Sequence, residues 1–163
     1  MKMNEIDDFD LKILTLLQAN GRLTNQELSD LVGLSASQCS RRRISLEQSL
    51  LIQGYHARIA PQAMGREVLA MIEVRLTSHR TEHREQFHSL VTTLDSIIDA
   101  YKTTGDADYT LKVAVDNLDS LNRLMELITA SDAVAHIKTA VVLERLKENS
   151  EVTALVGGKT ALC

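Results

Sequence analysis

TNQELSDLVGLSASQCSRRRISLE, residues 24–47, decides how this chain folds. Thr24 stands where a helix N-cap belongs, and Glu27 three positions on completes a capping box. Leu28, Leu31 and Val32 then recur at the spacing of one buried helical face. Gly33 supplies the left-handed residue that lets a helix stop and the chain reverse. Ser35 caps a second helix whose outer side holds Ser37, Gln38, Ser40, Arg41, Ile44 and Ser45. An amphipathic helix, a glycine turn and a short polar helix make a helix-turn-helix, whose second helix suits a major groove. Double-stranded DNA is the expected partner.

The flanks extend this reading. A helix is expected from Asp7 to Asn20, with Leu11, Ile13, Leu14, Leu16 and Leu17 as its apolar face and Asn20-Gly21 as its end. After Glu47, Leu50-Leu51-Ile52 leads into the β-type stretch Gly54-Tyr55-His56-Ala57-Arg58-Ile59, so residues 1–60 read as a winged helix-turn-helix. Pro61 and Gly65 mark a linker over 61–66. Beyond it the period changes. Ala70, Ile72, Val74 and Leu76 alternate with Glu73 and Arg75; Phe87, Leu90, Val91 and Leu94 form a helical stripe within 81–94. Residues 97–104 are β-like, and Tyr109, Leu111, Val113 and Val115 alternate again. Leu118, Leu121, Leu124, Met125 and Ile128 mark a helix over 118–130 capped by Asp116 or Asn117, and 134–143 is a last strand. The order β-α-β-β-α-β over 67–146 predicts a ferredoxin-like sandwich, an α+β chain overall, with a tail at 147–163. Two helices cover one sheet face, and the other, bearing Thr110, Lys112 and Ala114, is expected to meet a second copy.

Composition limits the function. The 163 residues allow one sizeable domain or two small ones. Net charge is −4, yet the stretch from Arg22 to Arg58 holds five basic and three acidic residues, so affinity for nucleic acid must be local. Cys39 and Cys163 fit no metal or disulfide spacing and read as free thiols of a reducing cytosol. The acidic start MKMNEIDDFD has no hydrophobic signal region, and no apolar run approaches the length of a membrane span. A soluble, cytoplasmic protein is expected. No nucleophile elbow, phosphate-cradling glycine loop or metal spacing appears, so neither enzyme activity nor a cofactor is expected.

The order and spacing of several fragments then carry a resemblance: Asp7-Asp8-Phe9-Asp10-Leu11-Lys12-Ile13-Leu14, Gly21-Arg22, Glu27-Leu28, Val32-Gly33-Leu34-Ser35, Arg42, Leu46-Glu47, Ile52-Gln53-Gly54-Tyr55-His56-Ala57 and Gly105-Asp106-Ala107-Asp108-Tyr109. From about Ile6 to Leu143 the chain resembles the leucine-responsive and asparagine-responsive regulators, the Lrp/AsnC family. The resemblance implies a transcription regulator, frequently of amino-acid metabolism, built as dimers that assemble further, commonly into octamers. It also implies a small amino-acid effector bound between dimers. Two positions depart from the family pattern. Leu50 stands where glycine usually follows the recognition helix, and leucine there is either strained or forces a different helix end. Arg43 replaces an apolar residue, so its stem is expected to pack and its head to snorkel out.

The candidate sites follow. Ser35, Ser37, Gln38, Ser40, Arg41, Arg42 and Ser45 are the expected DNA contacts, and Ile44 is placed to meet a thymine methyl. Cys39 reads as a packing residue rather than a redox switch. His79, His83 and His88 with Glu82 and Glu85 read as a polar face, since metal ligands must converge. Gly105-Asp106-Ala107-Asp108 has the composition of a hairpin turn. The resemblance adds effector contacts there, from Thr104, Gly105, Asp106 and Asp108, with Thr139 and its neighbour His136 on the last strand. The carboxylates would hold an amino acid's ammonium. An effector-independent architectural protein that wraps DNA is the alternative.

Overall fold

A computed structural model describes residues 6–57 and 59–147, which divide into two compact units, the second running from Ile59 to Leu146. The first unit holds α1 (Asp8–Ala19), α2 (Asn25–Val32) and α3 (Ala36–Gln48). Each helix starts on a reciprocal capping box: Asp7 with Asp10, Thr24 with Glu27, and Ser35 with Gln38. Two orphan backbone N–H groups are satisfied at each start, which sets the three helix registers. Gly33 adopts φ +84° and ends α2, as its lack of a Cβ permits. Ile13, Leu17, Leu28, Val32, Cys39 and Leu46 form the buried core, with Leu14, Leu16, Leu23, Leu34 and Ile52 packed around it. Cys39 is fully buried, a packing residue. Leu31 is half exposed, at the edge of the stripe to which its spacing assigned it.

The helix end at Leu50 resolves in favour of strain. Leu50 takes φ +58°, the only non-glycine residue with positive φ among those described. Its N–H donates to Glu47 O (3.0 Å) and that of Leu51 to Leu46 O (3.0 Å), a Schellman closure with leucine where glycine is favoured. The expected wing strand is not formed by the described residues of 54–59. Among the described residues, 50–59 contain no strand. A strand needs a neighbouring ladder for its N–H and C=O groups, and the described elements of this unit are all helices.

The second unit begins where a linker was expected. Pro61–Met64 form a 3₁₀ turn, and Arg66 Nη1 donates to Ala114 O (2.6 Å) and Ser96 Oγ (3.2 Å). There follow β1 (Val68–Leu76), α4 (Thr81–Thr93), β2 (Ile97–Lys102), β3 (Tyr109–Val115), α5 (Leu118–Thr129) and β4 (Val134–Val141). The last strand and β2 each stop two residues short of their expected ends. The sheet order is β2-β3-β1-β4, antiparallel throughout, which is the ferredoxin-like arrangement. Ala70, Ile72, Val74, Leu111 and Val113 pack against Phe87 from α4 and Leu121, Leu124 and Ile128 from α5. Asn117, not Asp116, caps α5 by accepting from Ser120 N, and Leu118 is exposed at its first turn rather than packed. On the other face stand Glu73, Arg75, Thr110 and Lys112, together with Ala114, which is nonetheless buried.

Candidate functional site

The outer face of α3 is the first candidate. Its cap consumes part of the hydrogen-bonding capacity expected to face a ligand. Gln38 Oε1 accepts from Ser35 N (3.0 Å) and Oγ (2.9 Å), and Ser35 Oγ accepts from Gln38 N (3.3 Å). Ser35 is thus committed to the helix start, while Gln38 retains only its amide NH₂ to offer outward. Ser37 and Ser45 are exposed, and Ser40 is half-buried.

The three arginines part company. Arg41 is exposed and, among the described residues, has no hydrogen-bond or ion-pair partner. Arg42 reaches back to the first turn of α1, where Nη1 lies 2.8 Å from both Asp7 Oδ2 and Asp10 Oδ1, and its guanidinium sits 5.6 Å from the Phe9 ring centre. The Asp10 and Asp7 carboxylates raise the Arg42 pKa, and the backbone N–H of Asp10, followed by Arg42, lowers that of Asp7. A guanidinium flanked by two carboxylates has its charge neutralised at home. Arg42 therefore ties α3 to the start of α1. Arg43 does not snorkel: Nε donates to Tyr55 Oη (2.8 Å) and Glu47 Oε1 (3.3 Å), Nη1 donates to Leu23 O (3.0 Å), and the guanidinium lies 4.6 Å from the Tyr55 ring centre. Tyr55 donates to Glu47 Oε1 (2.8 Å), and burial, then this bond to a carboxylate, pushes its pKa up. A Cβ on Gly21 would stand 3.2 Å from the Tyr55 ring, so glycine there lets the ring lie against the α1–α2 turn.

The second candidate is a cleft of about 200 Å³ on the open sheet face, lined by Glu73, Val74, Arg75, Asp106, Ala107, His136 and Lys138. The β1–β4 register sets Arg75 opposite His136 and Glu73 opposite Lys138, whose Nζ lies 3.7 Å from Glu73 Oε2. Both charge signs line one small space. Of the six residues expected here, Asp106 and His136 line it. Thr104 and Gly105 (φ +112°) are exposed on the β2–β3 loop outside its lining. Asp108 closes the loop instead: Oδ2 accepts from Leu76 N (2.8 Å), its N–H donates to Val74 O (2.9 Å), and Oδ1 lies 3.5 Å from His79 Nδ1. Thr139 pairs with inward-facing Ile72, so it belongs to the helix-covered side; its Oγ1 is buried without a hydrogen-bond partner. Glu73, Arg75 and Lys138 were missed. Alternation places them outward, but only the strand register brings them beside Asp106.

The histidines disperse: His83 Nδ1 meets Ser78 Oγ (2.8 Å), His88 Nε2 meets Tyr109 Oη (2.9 Å), and His79 faces Asp108. Among the described residues no group of three or more potential ligands converges as a metal site, and no helix is long and apolar enough to cross a membrane.

A capped helix-turn-helix presenting a polar helix, followed by a ferredoxin-like unit with a charged cleft, defines a DNA-binding protein of the regulator class. Comparison with known proteins supplies the family. Residues 6–47 match the AsnC-type helix-turn-helix domain and residues 69–152 the Lrp/AsnC ligand binding domain. The leucine-responsive regulatory proteins of Klebsiella pneumoniae and Escherichia coli K12 are each 34% identical over 149 residues, 91% of both chains. E. coli AsnC superposes with a TM-score of 0.83 at 26% identity, over 93% of this chain and 100% of that one. A Neisseria meningitidis transcriptional regulator in complex with L-methionine superposes with a TM-score of 0.82 at 31% identity, over 87% and 92%. The chain belongs to the Lrp/AsnC family of transcriptional regulators, and its function is DNA-binding regulation rather than catalysis.

Proposed function

We propose that this regulator, acting in the cytoplasm, responds to a small amino acid held at the open sheet face of its second unit and works as a homo-oligomer, a dimer at least. The observation that carries the reading is the cleft shared by Asp106, His136, Lys138, Glu73 and Arg75. A free amino acid is a zwitterion. Asp106 and Glu73 suit its ammonium, and Lys138, Arg75 and His136 suit its carboxylate. The likeness to a regulator solved with L-methionine supports an amino acid over other zwitterions. Because the cleft opens on the uncovered face, a second copy would complete it, and occupancy would then bias assembly and DNA binding together. On α3, Arg41 with Ser37, Ser45 and the Gln38 amide forms the DNA contact set that the geometry leaves open.

Melting curves with each of the twenty amino acids test this directly. At least one should raise the melting temperature or shift the oligomer distribution, and Asp106→Ala should fold and bind DNA but lose that response. A panel with no effect on the intact protein would favour the architectural, effector-independent alternative. A normal response from Asp106→Ala would move the site elsewhere.

A further inference from the structure

Ile44 is half exposed (49%) in the middle of α3, surrounded by polar side chains. At 100° per residue it points about 140° from Cys39 and about 160° from Leu46, the two residues through which α3 is buried. It therefore contributes nothing to the core of the helical unit, and leaving so much aliphatic surface in water forgoes the usual gain from burial. Its neighbours on that face are Ser40 and Arg41, one turn away, and Ser37, two turns away. The nearest acid, Glu47, is held by Arg43 and Tyr55, and Asp7 and Asp10 are held by Arg42. An apolar spot beside an open guanidinium and hydroxyls, with every nearby carboxylate already paired, is complementary to a polyanion that itself carries an apolar feature. Duplex DNA has one such feature in its major groove, the C5 methyl of thymine.

We propose that Ile44 is a specificity-determining residue of this regulator and packs against a thymine methyl in each half-site. This rests on α3 being the helix that enters the groove. Arg41 then anchors or reads beside it, and Gln38, its oxygen retained by the cap, serves as a donor alone, facing acceptors such as guanine O6 or thymine O4. Bidentate recognition of adenine, which needs both ends of the amide, is closed to it.

A preferred duplex selected from a random-sequence pool provides the probe, its thymines replaced one position at a time by deoxyuridine, which lacks only the methyl. The intact protein should lose about four-fold in affinity per half-site at one symmetric position, the worth of one buried methyl. Ile44→Ala should bind the thymine duplex more weakly and lose nothing further at that position, with Ile44→Val between the two. Because the side chain stands outside the core, all three proteins should melt alike. Indifference of the intact protein to every deoxyuridine, a selected site lacking thymine, or an equal methyl penalty in Ile44→Ala overturns the proposal. A pool yielding no preferred sequence would instead overturn base reading by α3, and this inference with it.

Discussion

Leu50 shows how one side chain can be wrong for its backbone and still be tolerated. A Cβ in the left-handed region costs about 1–2 kcal/mol, and the Schellman hydrogen bonds at Leu50 and Leu51 offset it. The side chain is 70% exposed and packs little. Leu50→Gly should therefore stabilise the unit by about 0.5–1 kcal/mol after allowing for glycine's freedom when unfolded, whereas Leu50→Ala should change almost nothing. Urea denaturation decides it, and a lower midpoint for Leu50→Gly would show that Leu50 is not strained. The arginine run separates just as sharply. Arg41→Gln should weaken DNA binding without moving the melting temperature. Arg42→Gln should cost about 1 kcal/mol of stability, a figure discounted for partial exposure, because it leaves Asp7 and Asp10 facing each other. Equal effects of the two changes on melting would cancel this division. The sequence made the Leu50 problem visible, since one missing glycine in a known cap pattern is local information. It did not reveal Arg42's partners, because a helical wheel gives a direction and the carboxylates stand on another helix.

Among the elements, capping was the most legible feature, because Asp7-x-x-Asp10, Thr24-x-x-Glu27 and Ser35-x-x-Gln38 each act within four residues. The wing was the least legible. Residues 54–59 have strand-like composition, but a strand is a relation between two segments and composition describes only one. The start of α1 has its own pH dependence. Asp7 accepts the backbone N–H of Asp10 and the Arg42 guanidinium, and its pKa lies below the ordinary 3.8. A depressed carboxylate stabilises the fold fully above its unfolded value, and that contribution disappears as pH falls through the folded one. Asp7→Asn keeps a competent cap but removes the charge. Melting temperatures of the two proteins should thus converge as pH drops below 3.8, with the parent the more stable at neutrality. A constant gap across that range would exclude Asp7 as its source.

In the molecule as a whole, the order of helices and strands sufficed to anticipate the β2-β3-β1-β4 sheet, since βαββαβ has few ways to close. The cleft was half legible: the family resemblance pointed to Asp106 and His136, while Glu73, Arg75 and Lys138 needed the register. The same open face governs the expected assembly. Met71 lies between Lys112 and Ala140 in the strand pairing, half-buried and without helical cover. A second copy seated there would bury it, so Met71→Glu should convert a dimer at micromolar concentration to monomer with an unchanged circular dichroism spectrum. Sedimentation measures this directly, and a monomeric parent protein would refute the assembly outright.

Asp7 and Asp10 also act as built-in counterions. A nucleic-acid-binding surface normally exchanges mobile salt for phosphate, each neutralised phosphate steepening the dependence on ionic strength. Here two of the three consecutive arginines already have carboxylate partners from the same chain, so in the proposed contact set Arg41 alone would take part in that exchange. A doubling of salt would then cost this patch about two-fold in affinity per subunit, where three open arginines would lose about six-fold. A DNA affinity that falls so little with salt would leave the proposed amino-acid effector, rather than ionic strength, as the larger influence on DNA occupancy.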